Sequence, residues 1–128
     1  MSEKIKFQKE IAIKTSVGIL FDMMTTPSGL SDWFCNDVNI DGDVYTFFWE
    51  GSEEKAELIR ASKNEYVRFK WVEDEDPSTY FELAIKIDGI TKDVALVVTD
   101  FADDEEEVEE NILLWESQIN DLKRVIGA

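Results

Sequence analysis

The sequence predicts an α+β fold in which a curved antiparallel sheet wraps around one long C-terminal helix. Three observations predict it: a one-sided apolar stripe from Asp104 to Ile126, a succession of short strand-like segments ahead of it, and two short helical segments near the start. In the stripe, Val108, Ile112, Trp115, Ile119, Leu122 and Ile126 recur at alternating steps of four and three. That spacing puts them on one face of an α-helix about 35 Å long. Asp104, Glu105, Glu106 and Glu107 open the segment and Lys123 and Arg124 close it, each sign complementing the helix dipole. A helix with one apolar face must lie on an apolar surface, and a curved sheet supplies it.

The elements follow in order. Ile5, Phe7, Ile11 and Ile13 share the odd face of a first strand, with Lys9 as the exception in that row. Thr15 or Ser16 then caps a short helix from Val17 to Met24. Thr26-Pro27-Ser28-Gly29 stops it, and Leu30 to Phe34 reads as a second short helix begun at Ser28. Asp37 to Ile40 and Val44 to Trp49 are strands flanking Asp41-Gly42, a dipeptide suited to a type I′ turn. Gly51-Ser52-Glu53 separates the next strand, Lys55 to Ala61, and Lys63-Asn64-Glu65 the one after. In Tyr66 to Val72, the apolar Val67, Phe69 and Trp71 alternate with Arg68 and Lys70, the cleanest half-buried strand in the chain. Tyr80 to Ile87 sets Phe81, Leu83, Ile85 and Ile87 on one face. Val94 to Phe101 is uniformly apolar enough that its inward face is not readable. Neighbouring strands with short turns pair antiparallel, which makes this a helix-grip arrangement.

Composition bounds the function. A chain of 128 residues favours one domain, 1–128, and 44% hydrophobic content is enough to give it a core. Its formal charge of −16 repels phosphate backbones, which argues against nucleic acid and anionic membrane surfaces and leaves a basic protein as a compatible partner. Thr15 to Glu54 and Asp93 to Asp121 contain no base at all. Met1-Ser2-Glu3-Lys4 leads straight into the first strand without an apolar leader, and no run approaches the ~20 apolar residues that span a bilayer. Cys35 is alone, so no intrachain disulfide forms, and a cytoplasmic location is expected. There is no histidine, which removes Ser-His and Cys-His nucleophile pairs and His-ligated zinc. No cofactor, no metal and no enzymatic activity are expected; nothing in the sequence fixes the oligomeric state.

Ser16-Val17 with Leu20-Phe21, the segment Thr25-Thr26-Pro27-Ser28-Gly29-Leu30-Ser31-Asp32-Trp33-Phe34, Arg68-Phe69-Lys70-Trp71, and Trp115-Glu116 with Leu122 carry a resemblance. Together they resemble the START-like, or SRPBCC, superfamily, and within it the heat-shock-protein ATPase activator homologues most. The chain departs from many relatives in having Leu114, not Gly, before Trp115. The resemblance implies a cavity between the sheet and the long helix that holds a small apolar or amphipathic ligand. Trp33, Phe34, Phe47, Trp49, Phe69, Trp71, Phe81, Trp115 and Ile119 are the candidates to line it, with Trp N–H groups free to orient the ligand. The same rings could instead fill that space themselves. The resemblance also admits a chaperone-activator-like interaction module and a polyketide-cyclase-like enzyme; the lack of His weighs against the last.

Two motifs imitate sites. Asp37-x-Asn39-x-Asp41-Gly42-Asp43 looks like the start of a calcium loop, but its twelfth position is Phe48 where a bidentate Glu is required. The carboxylate runs Glu53-Glu54, Glu73 to Asp76 and Asp103 to Glu110 fall at expected turns or a helix start and read as solvated charge. Cys35 reads as a small buried residue without an activating base.

Overall fold

The computed structural model describes residues 4–127, so Met1, Ser2 and Glu3 of the leader reading lie outside the described residues. The chain runs β1 (Ile5–Ala12), α1 (Val17–Thr25), α2 (Pro27–Trp33), β2 (Asp37–Asp41), β3 (Val44–Trp49), β4 (Ser52–Ser62), β5 (Tyr66–Trp71), β6 (Phe81–Ile87), β7 (Val94–Ala102) and α3 (Glu105–Ile126). The strands form one seven-stranded antiparallel sheet in the order β1-β7-β6-β5-β4-β3-β2. The first strand therefore lies beside the last, and α1 and α2 carry the chain across to the opposite edge.

Local chemistry sets the boundaries. Ser16 is the cap of α1, its side chain accepting from the Ile19 N–H at 3.2 Å. The second helix begins at Pro27 rather than Ser28, because Thr26 caps it and proline fits the first helical position, where its missing N–H costs nothing. Thr26 Oγ1 accepts from Gly29 N at 3.0 Å and donates to Asp22 O at 2.8 Å, pinning the two helices together. The elbow is tight: a Cβ at Gly29 would stand 2.5 Å from Asp22 O and 2.7 Å from Met23 Cα.

The β2–β3 turn differs from the type I′ expectation. Asp41 pairs with Val44, so the two central residues are Gly42 and Asp43, and of these Gly42 alone has positive φ, at 60°. That is the type II′ pattern, with glycine at the first central position. The calcium look-alike is thus a hairpin, with Asp37 opposite Phe48. The fourth strand starts at Ser52, ahead of the expected Lys55, because Ser52, Glu53 and Glu54 all pair with β3.

The long helix lies on the concave face. It is capped by Asp104, whose carboxylate accepts from Glu107 N at 2.8 Å, and it stops at Gly127 in the left-handed region, φ 75°. Trp115, Ile119 and Leu122 are buried, and Val108, Ile112 and Ile126 flank them half-buried. The odd row of β1 and the odd row of β6 face the helix. Their cross-strand partners share that face. Leu96 sits opposite both Ile11 and Ile85, Val98 opposite both Lys9 and Leu83, and Asp100 opposite Phe7, so β7 turns its even row inward. Lys9, the odd member of the β1 row, reaches Glu116 of α3 at 3.9 Å.

Candidate functional site

At one end of the grip the inward rows leave space. A cavity of about 470 Å³ opens between Asn111, Leu114, Trp115 and Gln118 of α3 and the ends of four strands. Trp49 of β3, Ser52 and Glu54 of β4, Trp71 of β5 and Asp100 of β7 line the sheet side, and Phe34, the C-cap of α2, closes the floor. Leu114 and Glu54 are solvent-exposed and mark the mouth. A smaller space of about 270 Å³ adjoins it and shares Trp71, Asp100 and Asn111 as a wall.

Phe34 organises the rings. It stacks on Trp115 at 5.8 Å between centroids, lies parallel to Phe81 at 5.9 Å, and takes edge contacts with Phe47 at 5.0 Å and Trp49 at 5.6 Å. Its carbonyl accepts from Trp49 Nε1 at 2.9 Å and from Gln118 Nε2 at 3.1 Å, tying α2 to β3 and α3. Trp71 continues the wall, 6.4 Å from Trp49 and 4.9 Å from Phe81.

Four of the nine expected lining residues, Phe34, Trp49, Trp71 and Trp115, border the cavity. The other five do not. Phe47, Phe69, Phe81 and Ile119 are at most 1% exposed, sealed one inward step deeper in the same rows. Trp33 is turned away, its Nε1 donating to Met23 O at 2.7 Å. The expectation that the indole N–H groups stand free also needs correction. Trp33, Trp49 and Trp115 donate to protein acceptors, leaving Trp71 without an acceptor among the described residues.

The residue that sequence reasoning missed is Asp100. It is a partly buried carboxylate on the helix-facing row, accepting from Trp115 Nε1 at 3.0 Å and from its neighbour's N–H, that of Phe101, at 2.8 Å. Burial pushes its carboxyl above the usual carboxylate range, those two hydrogen bonds pull it back, and the negative charge of Glu107 adds to the push. No ion pair to Asp100 occurs among the described residues. The nearby bases are taken: Lys4 pairs with Asp103, and Lys70 is held by Asp76 O, by Thr79 and by Asp74. Cys35 is buried against Leu30 O at 3.6 Å. Burial first, and the Asp37 charge second, push its thiol up to about 11, so it stays protonated and unreactive at neutral pH.

This geometry can enclose one small molecule against a ring wall and offer it a carboxylate, two amides and an indole N–H. Several solved structures share the fold. Protein BfR322 from Bacteroides fragilis is 31% identical, with 98% of this chain and 91% of that one covered and a TM-score of 0.65. The dimeric Aha1 from Colwellia psychrerythraea is 18% identical, covering 93% of each chain at a TM-score of 0.76. CalU16 from Micromonospora echinospora is 18% identical, covering 98% of this chain and 74% of that one at 0.69. The last two identities speak for the fold alone. No curated protein matches the chain. The family profile for the START-like superfamily domain matches residues 1–128, and with the seven-stranded sheet gripping α3 this places the chain in the START-like superfamily.

Proposed function

We propose that the chain is a non-enzymatic binding module that holds one small amphipathic molecule between α3 and the strand ends. The observation that carries this reading is the open 470 Å³ cavity walled by Phe34, Trp49, Trp71 and Trp115, a size within the ~300–1,000 Å³ range of small-molecule sites. Ser52, Glu54, Asp100, Asn111 and Gln118 add the polar groups that orient a ligand in such a site. The lone and buried Cys35 suits a reducing compartment, in keeping with a cytoplasmic role. Among the described residues no helix is long and apolar enough to cross a membrane.

A neutral aromatic probe, 1-naphthalenemethanol, tests the reading by calorimetry and tryptophan emission. A dozen heavy atoms at ~0.45 kcal/mol each give a Kd of ~10⁻⁴ M, with one-to-one stoichiometry. Leu114→Trp should plug the mouth and abolish binding while the melting temperature stays near wild type, because Leu114 is 60% exposed. Ile119→Trp is the contrast. With Ile119 fully buried, the added ring overpacks a sealed core and costs ~1–3 kcal/mol. Absence of probe binding to the wild-type chain at millimolar concentration would retire the proposal.

A second reading is a protein-interaction module with a basic partner. It is favoured by the exposed acids Glu105, Glu106, Glu109 and Glu110 beside the uncovered Leu113 and Leu114 on α3. A salt-sensitive complex with a basic protein that leaves the naphthalene site open would support it.

A further inference from the structure

The charges around the cavity say more than its size. Among the described residues two carboxylates border it, Asp100 inside and Glu54 at the mouth, and no lysine or arginine does. Asp100 Oδ1 and Oδ2 each accept one hydrogen bond, and a carboxylate has about four lone-pair positions, so acceptor capacity remains. Among the described residues no cation of the protein fills that remaining capacity, since Lys4, which lines the adjoining space, pairs with Asp103 and Lys70 is held by Asp74 and Thr79. Trp49, Trp71 and Trp115 line the same cavity, rings of the type whose π systems attract positive charge. A ligand carrying its own carboxylate would meet like charge from both acids and find no base to pair with. An ammonium group would meet a carboxylate and π faces together.

We infer that the occupant is a cationic amphipath, an aromatic or alkyl amine whose body lies on the tryptophan wall and whose ammonium head rests on Asp100. The inference depends on the binding-module reading and names the ligand class for the same cavity. The carboxylate accepts N–H bonds from the head group, and the bond from Trp115 Nε1 holds it in place to do so.

Three probes with one naphthalene body and different heads test it on the intact chain: 1-naphthylmethylamine, 1-naphthalenemethanol and 1-naphthoate, titrated calorimetrically at 0.15 M salt. Salt of that strength cuts general attraction to the −16 chain down to a range of about 8 Å. The amine is expected to bind about tenfold more tightly than the alcohol, the equivalent of one charge-assisted hydrogen bond, and the carboxylate not measurably. Asp100→Asn should reduce the amine preference to within about threefold while leaving alcohol affinity in place. That variant changes net charge by a single unit, so loss of preference reports the local carboxylate rather than the global field. Glu54→Gln, at an exposed position, should lower amine affinity by about twofold, the size of an exposed charge contact. Equal or tighter binding of the alcohol or the naphthoate by wild type would overturn the inference and leave the binding module standing. So would an amine preference that survives Asp100→Asn. Failure of all three probes would remove the module and the inference with it.

Discussion

Phe34→Ala is the perturbation that most directly tests how the two short helices, the sheet and α3 are joined. The ring is 5% exposed and touches Phe47, Trp49, Phe81 and Trp115 within 6 Å centroid distance. Truncating a buried Phe costs ~3–5 kcal/mol, the transfer free energy of the ring plus the void it leaves. Here the low end applies. The void would merge with the open 470 Å³ cavity, so water can enter and the empty-space penalty shrinks. The hydrogen bonds from Trp49 and Gln118 land on the Phe34 carbonyl and survive the substitution. A loss of ~3 kcal/mol in a chain of this length corresponds to roughly 10–15 °C in Tm. Phe34→Leu, which keeps most of the volume, should cost about 1 kcal/mol. Scanning calorimetry with urea unfolding measures both, and an unchanged urea slope would show that the folded states remain comparable. A Phe34→Ala protein melting within about 3 °C of wild type would refute the reasoning. So would a Leu variant as unstable as the Ala one.

Two further outcomes follow from the geometry. Gly29→Ala should destabilise by ~1–3 kcal/mol, since the new methyl would press on Asp22 O and Met23 Cα, both backbone atoms that yield only if the helices part; a Tm equal to wild type would mean the elbow opens freely. The second concerns pH. The carboxyl of Asp100 is raised in the folded state by burial, with Glu107 adding to it, so the native state holds this proton more tightly than the unfolded chain does. Its charge therefore costs stability above the folded pKa, and the cost is relieved as pH falls through that value toward the unfolded one. Wild type should gain on Asp100→Asn as pH is lowered from 8 toward ~4 in paired melting curves, the unfolded carboxyl value marking the end of the window. A gap between the two proteins that is constant, or widens against wild type on acidification, would sink the assignment.

Much of the architecture was legible because period and punctuation agreed. The segment read from Asp104 to Ile126 marked α3 within a residue of its observed start, and the alternation through Val67, Phe69 and Trp71 fixed the inward face of β5. Where two signals competed, reading failed by small steps. Asp41-Gly42 carries the commoner hairpin dipeptide, yet pairing of Asp41 with Val44 shifted the turn to Gly42-Asp43. Glu53 and Glu54 look like loop residues, yet they extend β4 because Phe47 and Phe48 of β3 continue to pair with them. The largest gap was β7. Both of its rows are apolar, Leu96 and Val98 on one and Ala95, Val97 and Phe101 on the other, so alternation could not say which way Asp100 points. Only the pairing of Asp100 with Phe7, a residue whose own face was legible, resolves it. A register between the first strand and the last was the missing signal.

The same register explains why the aromatic content both fills the core and leaves a site. Along β3 the inward row passes from Phe47, fully buried, to the partly exposed Trp49; along β5 it passes from Phe69 to Trp71. On β4 the step is from Ala56, fully buried, to the exposed Glu54, and on β7 from the fully buried Val98 to Asp100. The helix makes the corresponding step from Ile119 through Trp115 to the half-buried Asn111. Five elements thus change character at one level of the grip, and at that level acids and an amide take inward positions that aliphatic residues hold one step deeper. A core that had simply been left underfilled would show apolar walls on every side. Polar residues placed on inward rows carry a desolvation cost that a hydrocarbon at the same position would avoid. Asp100 bears that cost in its raised carboxyl, and an occupant able to donate hydrogen bonds to it would offset the cost on binding.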